Sequence, residues 1–335
     1  MQAAIYGLAG PELSDDERSF FRDCDPAGYI VFARNCVDQQ QLLRLTDSLR
    51  RLSGRADVPI LVDQEGGRVA RLKPPVWPAF PTGEAFARLY RTAPSSAIEA
   101  ARSNARAIGL MLKSCGINVD CLPVLDVRQE GASDIVGDRA LGSEPMQVAA
   151  LGRATLDGLA SGGVVGVVKH IPGHGRALVD SHKELPIVTA SAEELEIDIE
   201  PFERLASAPM GMTAHVVYTA WDAERPSSQS RTVIEDIIRR RIGFDGWLMS
   251  DDIGMEALAG GFAERAAGVV AAGCDVALHC SGKMDEMIAV AGAVPAMSVA
   301  GVERLERAMA SVGSGVDGLD LAAAMAKRDS LLALA

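Results

Sequence analysis

With 335 residues, 48% hydrophobic and 23% charged, the chain can bury a large core without a disulfide or metal staple. Its 33 basic and 45 acidic residues give a net charge of −12, which argues against a nucleic-acid groove or an anionic membrane surface as partner. No apolar run approaches the ~20 residues of a membrane span. Met1-Gln2-Ala3-Ala4-Ile5 lacks the basic and apolar regions of a signal peptide, so a cytoplasmic protein is expected.

In chain order, Ala3–Leu8 reads as a first strand, and Ser14 with Glu17 forms a capping box that opens a helix. Gly28–Ala33 is a second strand ending at Arg34-Asn35. Asp38 opens a helix with leucines 42, 45, 49 and 52 on one face. Val58–Val62 is a third strand ending at Asp63, and a loop rich in Pro and aromatics (74–81) leads to a helix over about 95–113. Ile117–Leu125 is a fourth strand ending at Asp126, and Pro145 begins the next helix. Val164–Val168 is a fifth strand, and Ser191 with Glu194 forms another capping box. Met210–Ala214 is a sixth strand ending at His215, after which Thr232 and Glu235 cap a helix. Trp247–Ser250 is a seventh ending at Asp251-Asp252, and Asp275–Leu278 an eighth ending at His279. The six cysteines (Cys24, Cys36, Cys115, Cys121, Cys274, Cys280) contain no CxxC pair and are expected to be reduced.

Strand followed by helix, about eight times over, predicts an α/β fold, a (β/α)₈ TIM barrel. No linker divides the chain, so residues 1–335 are expected to form one catalytic domain with a helical C-terminal tail from about 302, broken near Ser311–Gly315. A doubly wound sheet is the alternative, but no GxGxxG follows the early strands. Asn35, Asp63, Asp126, Lys169, His170, His215 and Asp251 stand at strand ends, and in a barrel those ends share one mouth.

Three of the five histidines fall between Lys169 and His182, in Lys169-His170-Ile171-Pro172-Gly173-His174-Gly175 and Asp180-Ser181-His182. Asp180 and His182 are one residue apart, so in extended backbone both project to one side. A carboxylate beside an imidazole fixes its tautomer and favours its charged form, which suits a general acid near neutral pH. Alternation lets only one of Asp251 and Asp252 point into the mouth, and the sequence does not say which. An ionised carboxylate opposite a proton donor is what glycoside cleavage requires. His170, His174, His182, His215 and Asp251 also permit a metal-dependent barrel hydrolase. Against it, the chain has no HExxH, and Lys169 would set a cation beside the metal. Arg71 and Lys73 near Trp77 suggest a stacking groove, but the acidic balance makes Trp77 and its prolines loop packing.

Asp63-Gln64-Glu65-Gly66-Gly67-Arg68-Val69, the Lys169–Gly175 stretch with Asp180-Ser181-His182, and Ser250-Asp251-Asp252-Ile253-Gly254-Met255-Glu256 closely resemble glycoside hydrolase family 3. The resemblance is to its single-domain bacterial branch, the β-N-acetylglucosaminidases of peptidoglycan recycling, and runs in order from Gly28 to about Asp275. Ile171 stands where Phe is more usual, and Ile253-Gly254 replaces a Leu-Ser type pair. The resemblance implies a retaining exo-glycosidase without metal or organic cofactor, acting on a small carbohydrate, a muropeptide. Asp251 would be the nucleophile, and His182 held by Asp180 the acid/base. Asp63, Arg71, Arg139, Lys169 and His170 would bind the terminal N-acetylglucosamine, His215 would lie near the same pocket, and His174 would support the loop. Phosphorolysis on the same site is the alternative outcome. A monomer that binds neither nucleic acid nor membrane is expected.

Overall fold

A computed structural model describes residues 1–181, 183–313 and 320–334. Eight strands close into a barrel: β1 (Gln2–Gly7), β2 (Pro26–Val31), β3 (Ile60–Val62), β4 (Val119–Asp120), β5 (Val165–Ile171), β6 (Met210–Thr213), β7 (Trp247–Asp252) and β8 (Val276–His279). Each pairs in parallel with its sequence neighbours, and β8 closes on β1 with Ile5 opposite Leu278. The predicted barrel is therefore the observed one. Its strands are covered on both faces, inside by their own side chains and outside by helices. That is why they read as unbroken apolar runs: all seven residues of β5 are buried, including Lys169 and His170.

Local signals placed most helix starts. Ser14 and Ser191 form capping boxes with Glu17 and Glu194, and Asp38 accepts from the Gln41 N–H. Thr232 does not cap, because its backbone is already helical (φ −58°, ψ −50°). Ser230 takes that role, its Oγ accepting from the Val233 N–H at 3.2 Å, and the helix is π-wound over Val233–Arg241. The fourth strand is shorter than its apolar run because Pro123 has no N–H to give the ladder. The fifth is longer, continuing through Lys169 and His170 to pair Ile171 with Thr213.

A second, two-stranded parallel pair, Ile187–Val188 with Val217–Tyr218, lies outside the barrel and was not legible in so short a pattern. The tail forms helices over Val299–Ala310 and Leu321–Leu332, and the second rests on helix Pro94–Ser114, where buried Arg328 donates to Asn104 Oδ1 at 3.2 Å. All six cysteines are free, and Trp77 is buried. No helix among the described residues is long and apolar enough to cross a membrane.

At the barrel end opposite the mouth, Asp275 ties three elements together. Its carboxylate accepts from Arg239 at 2.9 Å, from Arg304 at 3.0 Å and from the Leu248 N–H at 2.9 Å. Removing one partner of a buried pair leaves the others desolvated and unpaired. Asp275→Ala is expected to lower stability by about 2–4 kcal/mol, allowing for the part-exposed arginines. Turnover per folded molecule should be unchanged. Urea unfolding and active-site-normalised kinetics check both, and a loss of turnover without a loss of stability would contradict the assignment.

Candidate active site

The C-terminal ends of the strands surround a cavity of about 280 Å³ lined by Asp63, Glu65, Arg71, Arg139, Lys169, His170, His174, Ser181, Asp251 and Asp252, among others. Lys169, 2% exposed, donates to Asp63 Oδ1 at 3.0 Å and pairs with Glu65 Oε1 at 2.7 Å. Arg71 reaches Asp63 Oδ2 at 3.0 Å, and Arg139 grips both Glu65 oxygens at 2.8 Å. Burial opposes ionisation of both carboxyls. Even so, Lys169 and Arg71 hold Asp63 well below the usual carboxylate range, and Arg139 with Lys169 brings Glu65 down to about 2. Burial likewise works against the Lys169 ammonium, and the same two carboxylates more than offset it.

The β3 loop is shaped for this. Asp63 and Glu65, two residues apart, present their carboxylates to one cation. Between them Gln64 turns away, accepting from the Arg71 and Leu72 N–H groups and donating to the Leu72 carbonyl. Gly66 follows at φ +103°, where a Cβ would lie 2.2 Å from the Pro81 carbonyl oxygen, so the turn requires glycine.

His170 and His174 share Asp126, which is fully buried. Asp126 Oδ2 takes the His170 Nδ1–H at 2.6 Å, and Oδ1 takes the His174 backbone N–H at 2.7 Å. Burial would raise Asp126, but the neighbouring imidazoles hold it well below the usual range. The His170 Nδ1 proton is thereby fixed and Nε2 is left for the cavity. His174, pushed down to about 4 chiefly by burial, reaches Ser181 Oγ at 3.2 Å.

At the end of β7 both carboxylates line the cavity, contrary to strict alternation. The reason is local: Asp251 Oδ1 folds back to accept the Asp252 N–H at 2.8 Å, and Asp252 Oδ1 accepts from Gly254 at 3.0 Å and Cys280 at 3.2 Å. Electrostatics separates the two. Burial and the neighbouring Asp251 charge push Asp252 up to about 6. Asp251, although burial opposes it, is held low by His170, the Asp252 amide and Lys169. Asp251 is therefore the stronger acid of the pair.

Of the residues singled out from sequence, Asp63, Arg71, Arg139, Lys169, His170 and Asp251 meet in this cavity. His182 lies outside the described residues. Asp180 is part-buried, and its carbonyl accepts from the Lys183 and Glu184 N–H groups. Ser181 lines the cavity, and its carbonyl takes the Ala257 N–H at 3.3 Å from the loop after β7. His215 has no exposed surface and does not line the cavity. Its Nε2 faces the Asp252 carbonyl at 3.1 Å and its Nδ1 the Ser228 hydroxyl at 2.7 Å. Glu65 was not singled out, although its spacing from Asp63 was a usable signal. Asp126 was noted only as a strand end, because its histidine partners come from another strand.

The model for the glycosyl hydrolase family 3 N-terminal domain matches residues 3–314. A β-hexosaminidase of Bordetella avium is 35% identical over 83% of this chain and 80% of its own length. One of Methylococcus capsulatus is 36% identical over 92% of this chain and 88% of its own. The crystal structure of NagZ from Neisseria gonorrhoeae in complex with N-trifluoroacetyl-D-glucosamine superimposes with a TM-score of 0.87 at 31% identity, covering 99% of this chain and 98% of that one. A family 3 β-N-acetylglucosaminidase from Paenibacillus sp. is 29% identical with a TM-score of 0.81, over 98% of this chain and 61% of that one.

The buried ion cluster makes a prediction about stability and pH. Asp63 and Glu65 titrate below the ~4 of an unfolded chain, so their contribution is present at neutral pH and lost as pH falls from about 4 toward 2. Lys169→Met removes the cation both carboxylates share and leaves each with one arginine, Arg71 for Asp63 and Arg139 for Glu65. Both groups then titrate closer to the ordinary carboxylate range, so the variant should lose about 3–5 kcal/mol at pH 7, and its deficit should shrink as pH falls from about 4 toward 2. Urea unfolding at pH 7 and at about pH 3 reads this. Wild-type stability at pH 7, or a deficit that grows on acidification, would contradict it.

Proposed function

The chain belongs to glycosyl hydrolase family 3 and is a β-hexosaminidase, and from this premise we propose that it is a retaining exo-β-N-acetylglucosaminidase acting by double displacement. The observation that carries the reading is the ionised Asp251, set in one cavity with the Asp63–Lys169–Glu65 cluster. In the first step a carboxylate oxygen of Asp251 attacks the anomeric carbon as the glycosidic bond breaks. His182, the proposed acid/base with Asp180 as its proposed partner, gives its proton to the leaving oxygen. In the second step His182 takes a proton from water, the water oxygen bonds the anomeric carbon, and Asp251 leaves as carboxylate. Asp252 is the less suited to attack, because one of its oxygens is taken by two backbone N–H groups, those of Gly254 and Cys280.

Asp63, Arg71, Arg139, Lys169 and His170 offer both acceptors and donors, which suits the hydroxyls of a terminal sugar. The proposed substrate is a cytoplasmic muropeptide, N-acetylglucosamine β-1,4-linked to anhydro-N-acetylmuramic acid with or without peptide. Both steps balance with protein groups and water alone.

The test is a leaving-group comparison. Asp251→Ala should abolish turnover of every substrate, activated aryl glycosides included. His182→Ala should slow the natural disaccharide about 10²–10⁴-fold, the usual worth of a general acid. Glycosylation from a nitrophenyl N-acetylglucosaminide, whose leaving group needs no proton, should suffer far less. Equal losses for the two leaving groups in that step would overturn the role of His182.

A further inference from the structure

His215 stands at the end of β6 beside the β7 carboxylates, yet it is sealed from the cavity. A carbonyl can only accept, so the contact with the Asp252 oxygen fixes the His215 proton on Nε2. Nδ1 is then an acceptor, and the Ser228 hydroxyl donates to it. Burial favours this neutral ring, against the pull of Asp251. Neither nitrogen is left for a sugar hydroxyl.

The surroundings form a rigid bracket. Ser227, Ser228 and His215 are all fully buried. Ser227 Oγ donates to the Ala214 carbonyl at 2.6 Å, and the Ser227 N–H donates to the Val216 carbonyl at 2.8 Å. The residues on both sides of His215 are therefore fastened to the turn whose Ser228 fixes its ring. On the other side, residue 252 is held at its carbonyl by His215 while its N–H holds Asp251 Oδ1. One peptide group thus separates the imidazole from the amide that orients the attacking carboxylate.

We propose that His215 is a positioning residue: through the Asp252 backbone it fixes the direction of the Asp251 carboxylate toward the anomeric carbon, and it does not bind the sugar. The inference rests on Asp251 being the nucleophile. A misplacement of about 1 Å at a reacting group can cost roughly 10²-fold, so loss of the clamp should appear in the chemical step.

The experiment follows covalent labelling of the full-length protein by a slow 2-fluoro glycoside with a good leaving group, read by intact mass. Binding of N-acetylglucosamine is measured alongside. His215→Leu should lower the maximal labelling rate on the order of 10- to 100-fold while leaving sugar affinity essentially unchanged. His215→Gln, which keeps an N–H donor for the Asp252 carbonyl, should restore much of the rate. Ser228→Ala, removing only the hydroxyl that fixes the ring, should show the same pattern more weakly, and it serves if the Leu variant does not fold. Labelling of His215→Leu at the wild-type rate overturns the inference, as does a variant that loses sugar affinity at an unchanged maximal rate. Absence of any adduct in the wild-type protein overturns the nucleophile reading itself, and is recognisable because it needs no variant.

Discussion

The ammonium of Lys169 has almost no water around it, and an unpaired charge in that position would be driven to neutrality. It stays charged because the β3 loop delivers two carboxylates to it, Asp63 and Glu65, themselves braced by Arg71 and Arg139. Strand β5 thereby joins the loop after β3 and the segment carrying Arg139 into one charged wall of the mouth. Three cations against two carboxylates leave that wall net positive, and Asp251 lines the same cavity. The same network that pins the loops also helps keep the third carboxylate ionised.

The two ends of the barrel divide the work in the way parallel barrels allow. At the far end, Asp275 with Arg239 and Arg304 fastens helices to strands. At the mouth, the ion pairs bear polar groups that face an open cavity, so part of their hydrogen-bonding capacity remains for a ligand. A cluster of acceptors and donors is better matched to a hydroxylated sugar than to a flat apolar molecule.

Much of this was legible in the sequence because the signals were local. Apolar runs ending in Asp63, Lys169-His170 and Asp251 placed strands and mouth together, and Ser14, Asp38 and Ser191 marked helix starts through hydrogen bonds spanning three residues. Where the signal was tertiary, the sequence was silent or misleading. Thr232 lost the capping position to Ser230, and Pro123 ended a strand that the apolar pattern continued. Alternation at Asp251-Asp252 failed because each carboxylate turned onto a nearby backbone N–H, a choice that side-chain periodicity does not encode. His215, a strand-end residue like the others, faces into the wall because a serine thirteen residues later comes back to meet it.

A crystal structure of Asp251→Asn soaked with the N-acetylglucosamine-terminated disaccharide tests whether Asp251 is the attacking group. The anomeric carbon should lie about 3–3.5 Å from the residue 251 side chain, the distance of a reactive pose. The hydroxyls of the terminal sugar should lie on Asp63, Lys169 and Arg139. A sugar whose anomeric carbon faces Asp252, or whose hydroxyls sit away from the Lys169 cluster, would contradict it.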